Sequence, residues 1–135
     1  MASSIDLDQT FLPLGLMRQV TGVSSFSEKG IVCEMCIESH WTYPGHFPDD
    51  PILPGSLIIE AAGQTTALWA WLNGQRGKPR MVKSSAEFRA PAGPRDGTLT
   101  LRATVKRRRN LNFGTISVRI GKLEIATVAN CIAVV

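Results

Sequence analysis

The sequence predicts an α+β fold in which an antiparallel sheet wraps around one long central helix. Three observations carry that expectation. The run from Gly55 to Asn73 is apolar on nearly every side, so it reads as a helix that must be buried all round. Four segments after it alternate with period two and are separated by turn-forming residues, the pattern of strands joined antiparallel. A stretch punctuated by Pro44, Pro48, Pro51 and Pro54 feeds the helix and can be neither helix nor central strand.

At 135 residues, with 44% hydrophobic and 19% charged residues, the chain suits one domain spanning 1–135 with a single core. Charge is unevenly spread. Through Gln75 there are two basic against eight acidic residues, and from Arg76 onward thirteen against three. A basic half either attracts an acidic partner or is simply a solvated surface. Nucleic acid is the weaker choice of partner, because Phe113 is the only aromatic near the basic run.

Taken in order, residues 1–15 read as a loosely held lead-in. Asp6 and Asp8 stand where a targeting peptide would be basic, and the reduced cysteines suit a cytoplasmic protein. Leu16 to Ser25 reads as a first strand. Ser27 to Gly30 is a turn in which Gly30 is free to take positive φ. Ile31 to Glu38 is a strand with Ile31, Cys33, Met35 and Ile37 toward the core. The Cys33-Glu34-Met35-Cys36 spacing resembles a metal or redox pair, but a separation of three places the two thiols on opposite faces of a strand. No metal site is expected.

The helix is expected over Gly55 to Asn73, stopped by Asn73-Gly74. Its Glu60, Gln64, Thr65 and Thr66 argue for a buried core helix over a membrane span. The later strands are Arg80 to Arg89, Thr98 to Arg109, Phe113 to Ile120 and Leu123 to Val134.

Chemistry concentrates where the loop meets the helix. His46 lies in the stiff loop, where an imidazole can take up a proton. Glu60 stands alone on an apolar helix, where burial would keep its carboxyl group protonated. The N–H groups at the helix start, Gly55 and Ser56, would polarise a carbonyl. A base, an acid and a carbonyl clamp suit removal of water from a 3-hydroxy carbonyl compound. The plain alternative is a loop histidine satisfying carbonyls and a glutamate paired at a subunit interface.

The segment Gly45-His46-Phe47-Pro48-x-x-Pro51-x-x-Pro54-Gly55-x-Leu57-x-x-Glu60-x-x-x-Gln64 resembles the active-site segment of the 3-hydroxyacyl-[acyl carrier protein] dehydratases of the hotdog fold. The likeness is tight over 45–64, looser around Glu87-Phe88-Arg89-x-Pro91 and the closing strands, and covers roughly two thirds of the chain. It implies that His46 removes the C2 proton, Glu60 acts at the C3 hydroxyl, Gly55 offers its amide to the thioester carbonyl, and Gln64 orients Glu60. Glutamate at that position resembles the general dehydratase branch, not the isomerising one. No cofactor is implied beyond the phosphopantetheine that carries the substrate. Implied partners are an acyl carrier protein and a second copy of the chain, in a homodimer whose sites take histidine from one protomer and acid from the other.

On this reading Arg102, Lys106 and Arg108, which share one face of their strand, contact the acidic carrier protein; the other reading is a solvated edge that deters aggregation. Two features depart from the family pattern. Phe11 to Arg18 lacks the family's Pro-His-Arg-type segment, and Trp41, Tyr43, Trp69 and Trp71 are bulkier than expected, which suggests a specialised member. A hotdog thioesterase or isomerase, and a non-catalytic acyl-binding subunit, are the competing functions.

Overall fold

The computed structural model describes residues 5–13 and 15–135. Residues 1–4 of the expected lead-in, and Leu14, lie outside them. Six strands form one antiparallel sheet: β1 Gly22–Phe26, β2 Gly30–Cys36, β3 Pro79–Phe88, β4 Thr98–Arg108, β5 Leu111–Ile120 and β6 Leu123–Val134. Helix α1, Gly55–Leu72, runs between β2 and β3. The spatial order β1-β2-β4-β5-β6-β3 sends the chain through α1 from one side of the sheet to its far edge. The expected sheet around a helix is the observed architecture.

Alternation decides which face each strand turns inward. Ile31, Cys33, Met35 and Ile37 of the β2 segment are buried, as are Leu99, Leu101, Ala103 and Val105 of β4. Eleven of the eighteen residues of α1 are buried within the single chain, so the sheet covers most of the helix. Three polar ties set the helix's register on the sheet. Thr66 Oγ1 bonds Asn130 Oδ1 at 2.8 Å, Gln75 and Asn112 exchange amide hydrogen bonds at 2.9 and 3.1 Å, and Trp69 Nε1 donates to the Ser27 carbonyl at 2.9 Å. Left unpaired, buried groups of this kind would cost about 1–3 kcal/mol each. Gly74, at φ 100°, ends the helix in a conformation that favours glycine.

Three expectations need correction. The first strand begins at Gly22, not Leu16, because the main chain of residues 17–20 is spent on Gln64 and the ladder with β2 opens only at Thr21. The lead-in is held at residues 5–13: Arg18 pairs with Asp8 at 2.6 Å, Leu12 is buried, and Phe11 packs 6.4 Å from the Trp71 ring. Gly30 does not take positive φ; it is required because a Cβ there would lie 2.3 Å from the Ala103 carbonyl oxygen across the ladder. Strand β3 pairs with β6 and not with its successor β4, leaving β3 as an edge.

Cys33 is buried and Cys36 exposed, as opposite strand faces require. Among the described residues no cluster of His, Cys, Asp or Glu could hold a metal ion. No helix among them is long and apolar enough to cross a membrane.

Candidate active site

The proline loop is pinned at its base before it reaches the helix. Tyr43 Oη donates to the Ile37 carbonyl at 2.6 Å, Leu53 N–H to the Ala92 carbonyl at 2.8 Å, and Ile52 N–H to the His46 carbonyl at 2.9 Å. Burial raises the pKa of Tyr43, with Asp96 and Cys36 adding to the effect, so its phenol keeps the donated proton. Within this frame His46 Nδ1 lies 2.9 Å from the Ile52 carbonyl oxygen. A carbonyl only accepts, so Nδ1 carries the hydrogen and the neutral ring presents Nε2 as its basic nitrogen. The imidazole stacks on Phe47 with ring centroids 4.4 Å apart.

Helix α1 starts at Gly55 behind Pro54, whose side chain makes no capping hydrogen bond. The free N–H groups of the first turn and the positive end of the helix dipole therefore face the loop. A Cβ on Gly55 would come within 3.0 Å of the Phe88 ring. Glycine thus keeps open the narrow space between the helix start and β3.

Glu60 lies in the second turn. In the single chain it is half-buried, not fully enclosed as the apolar helix led us to expect, because it opens onto a groove of about 630 Å³. Gln64, one turn on, donates from Nε2 to Glu60 Oε2 at 2.9 Å. Glu60, Gln64 and Trp71 line the helix side of the groove, and Arg76, Lys78 and Arg80 line its mouth beyond the helix end. Arg76 is held there by its guanidinium, 4.2 Å above the centre of the Trp71 ring.

Glu60 and Gln64 are brought together, and Gly55 lies on the same helix. His46 is not among the residues lining the groove, and no hydrogen bond joins it to Glu60 among the described residues. Within the single chain, the imidazole and the carboxyl therefore do not share the groove. Arg102, Lys106 and Arg108 are exposed on the outward face of β4. Lys106 and Arg108 flank Arg107, which pairs with Asn112, the residue bonded to Gln75, so they lie at the same end of the sheet as the groove mouth.

Sequence reading missed Arg76, Lys78 and Arg80, whose every-other-residue spacing was the available signal. It also missed His40 and Gln19. The buried Gln19 bonds His40 Nε2 through its side chain, and its main-chain N–H bonds Gln64. A polar residue beside the apolar Val20 was the only local hint.

Comparison with known proteins gives a consistent picture. The family described as FabA-like domain matches residues 12–129. The 3-hydroxyacyl-[acyl-carrier-protein] dehydratase FabZ of Brucella melitensis biotype 2 is 40% identical over 79 residues, covering 56% of this chain and 49% of the relative. The protein of that name from Syntrophobacter fumaroxidans is 41% identical over 75 residues, covering 53% and 50%. The chain thus spans about half the length of the curated relatives it matches. Among solved structures, the dehydratase heterocomplex ApeI:P of Xenorhabdus doucetiae superposes with TM-score 0.78 at 16% identity, over 97% of this chain and 91% of that one. A thioesterase from Haemophilus influenzae gives TM-score 0.66 at 20% identity, over 84% and 77%. The shared fold is the hotdog fold.

Proposed function

The chain belongs to the FabA-like family, and on that footing we propose that it dehydrates 3-hydroxyacyl thioesters on acyl carrier protein to trans-2-enoyl thioesters, in fatty-acid or polyketide-type biosynthesis. The observation that carries this reading is how the two proton carriers are held. His46 is tethered at Nδ1, which leaves Nε2 for the substrate, and Glu60 is tethered at Oε2, which leaves Oε1.

The steps follow from that arrangement. His46 Nε2 takes the C2 proton while a helix-start amide at Gly55 stabilises the negative charge growing on the thioester oxygen. Glu60 gives its proton to the C3 hydroxyl, the C3–O bond breaks, and water leaves as the C2–C3 double bond forms. Proton transfer returns His46 and Glu60 to their starting forms. Proton transfers of this kind need no metal or redox cofactor, and the phosphopantetheine arm belongs to the substrate.

The reading includes a homodimer. Edge strand β3 leaves Val82 62% and Met81 45% exposed beside unpaired backbone groups, a surface suited to a second copy. A partner at that edge would bring its His46 loop to the Glu60 groove. Arg102, Lys106 and Arg108, with Arg76, Lys78 and Arg80 at the groove mouth, supply the positive field an acidic carrier protein requires. A cytoplasmic location is part of the same reading.

The test follows enoyl-thioester absorbance near the ultraviolet edge with short- and medium-chain 3-hydroxyacyl carrier-protein thioesters. Wild-type protein turns over, and His46→Ala and Glu60→Gln each lose at least about a hundredfold. Release of free thiol in place of enoyl product would identify a thioesterase. An inert wild-type protein across the panel would identify a binding subunit.

A further inference from the structure

We propose that Gln19 and His40 are positioning residues that lock the amide of Gln64 in one orientation, so that Glu60 delivers its proton from Oε1 alone. The proposal rests on the dehydratase reading for its kinetic consequence and on geometry for the lock itself.

All four hydrogen-bonding positions of the Gln64 amide are used. Its Oε1 accepts from the main-chain N–H groups of Gln19 at 2.9 Å and Val20 at 3.2 Å. Its Nε2 donates to the Met17 carbonyl at 2.7 Å and to Glu60 Oε2 at 2.9 Å. Rotating the amide by half a turn would set its NH₂ against two N–H donors and its oxygen against the Met17 carbonyl. The orientation is therefore determined by main-chain atoms of residues 17–20. Gln64 donates to Oε2 whether Glu60 is neutral or ionised, so Oε2 stays an acceptor and the transferable proton sits on Oε1. The bond strengthens as the carboxylate forms, so it favours the transition state over the bound substrate.

Residues 17–20 are not held by a strand, and that gives Gln19 and His40 their role. Gln19, 2% exposed, donates from Nε2 to the Leu16 carbonyl at 2.9 Å and accepts at Oε1 from His40, 2.8 Å away. The direction of the latter bond is assigned. Thr42 N–H donates to His40 Nδ1, so the hydrogen of the neutral ring is on Nε2. The His40 ring is itself stacked on Trp41, whose Nε1 also donates to the Leu16 carbonyl. Burial lowers the pKa of His40 and favours the neutral donor form used here. His40 acts through Gln19, Gln19 through the main chain, and the main chain through Gln64; neither residue touches the reacting atoms.

The test compares His40→Phe and His40→Gln in the full chain. Phenylalanine keeps an aromatic ring for the stack on Trp41 and the tilted contact with Tyr43 but has no ring nitrogens, while glutamine restores a donor toward Gln19. In ¹⁵N–¹H spectra the side-chain amide pair of Gln64 should shift or broaden in His40→Phe and return to its wild-type position in His40→Gln. In the dehydration assay His40→Phe should lower kcat about tenfold with KM within about twofold, and His40→Gln should recover most of it. An unmoved Gln64 amide in His40→Phe overturns the lock, whatever the activity. A moved amide with unchanged kcat overturns its catalytic consequence. If wild-type protein dehydrates nothing while the Gln64 signals follow the variants, the lock stands and the dehydratase reading falls.

Discussion

His46 and Ile52, six residues apart in one loop, are joined twice: Ile52 N–H donates to the His46 carbonyl, and His46 Nδ1–H donates to the Ile52 carbonyl, each at 2.9 Å. This reciprocal pair sets the tautomer of the imidazole. In ¹⁵N NMR of the neutral ring, Nδ1 should appear as the protonated nitrogen and Nε2 as the bare one. Spectra showing the reverse would remove the base from the proposed reaction.

In the proposed homodimer each site takes His46 from one protomer and Glu60 from the other, so two inactive variants should complement each other. His46→Ala and Glu60→Gln, mixed and allowed to exchange subunits, should recover about a quarter of wild-type activity. Half the dimers are then mixed, and each mixed dimer holds one complete site. Zero recovery, with subunit exchange verified by mass, would place both groups in sites within one chain.

Two glycines should respond to alanine in opposite ways. At Gly30 the new methyl group meets the Ala103 carbonyl at 2.3 Å, and backbone cannot step aside. Thermal unfolding should show a loss of about 3 kcal/mol. At Gly55 the methyl group meets only the Phe88 ring, a side chain 45% exposed and able to shift. There the fold should persist while kcat/KM falls, because the space beside the helix-start amides is closed. Unimpaired turnover by Gly55→Ala would remove that amide from the site.

The three cysteines should separate by exposure. Cys36 is exposed and should react with a thiol reagent at pH 8, whereas Cys33 and Cys131 are buried and should react only on unfolding. Burial raises the Cys33 thiol from 9.0 to about 12, with its Thr65 hydrogen bond opposing the rise and Glu34 adding to it. Above pH 9 the unfolded chain therefore loses a proton that the folded chain keeps. Stability should fall as pH rises from 9 toward 12, by up to about 1.4 kcal/mol per unit. Denaturant midpoints measured across that range check the sign, and Cys33→Ser should flatten the slope.

Low pH should act through His40. Its pKa is lowered in the fold by burial, so the unfolded chain takes up the proton first. That contribution to stability is present above the ordinary value of 6.5 and is lost as pH falls below it. Wild-type protein should lose more stability than His40→Gln between pH 7 and 5. Equal losses would show that His40 does not contribute.

What the sequence determined by itself rested on short-range rules. Period-two alternation located β2, β4 and β6 to within two residues and assigned their buried faces. The all-round apolar run located α1, and Asn73-Gly74 located its end. The proline spacing marked a stiff loop, and the residues from Gly45 to Gln64 marked the family. Alternation states which side of a strand is buried but not which strand lies beside it, because pairing joins residues far apart along the chain. Hence only the tertiary structure decided that β3 is an edge, and that the main chain of Met17, Gln19 and Val20 leaves the sheet to hold Gln64, more than forty residues away. The same limit applies to the site. Glu60 and Gln64 are one helical turn apart and legible as a pair, whereas His40, Gln19 and the cations at the groove mouth converge on them only once the sheet has closed around the helix.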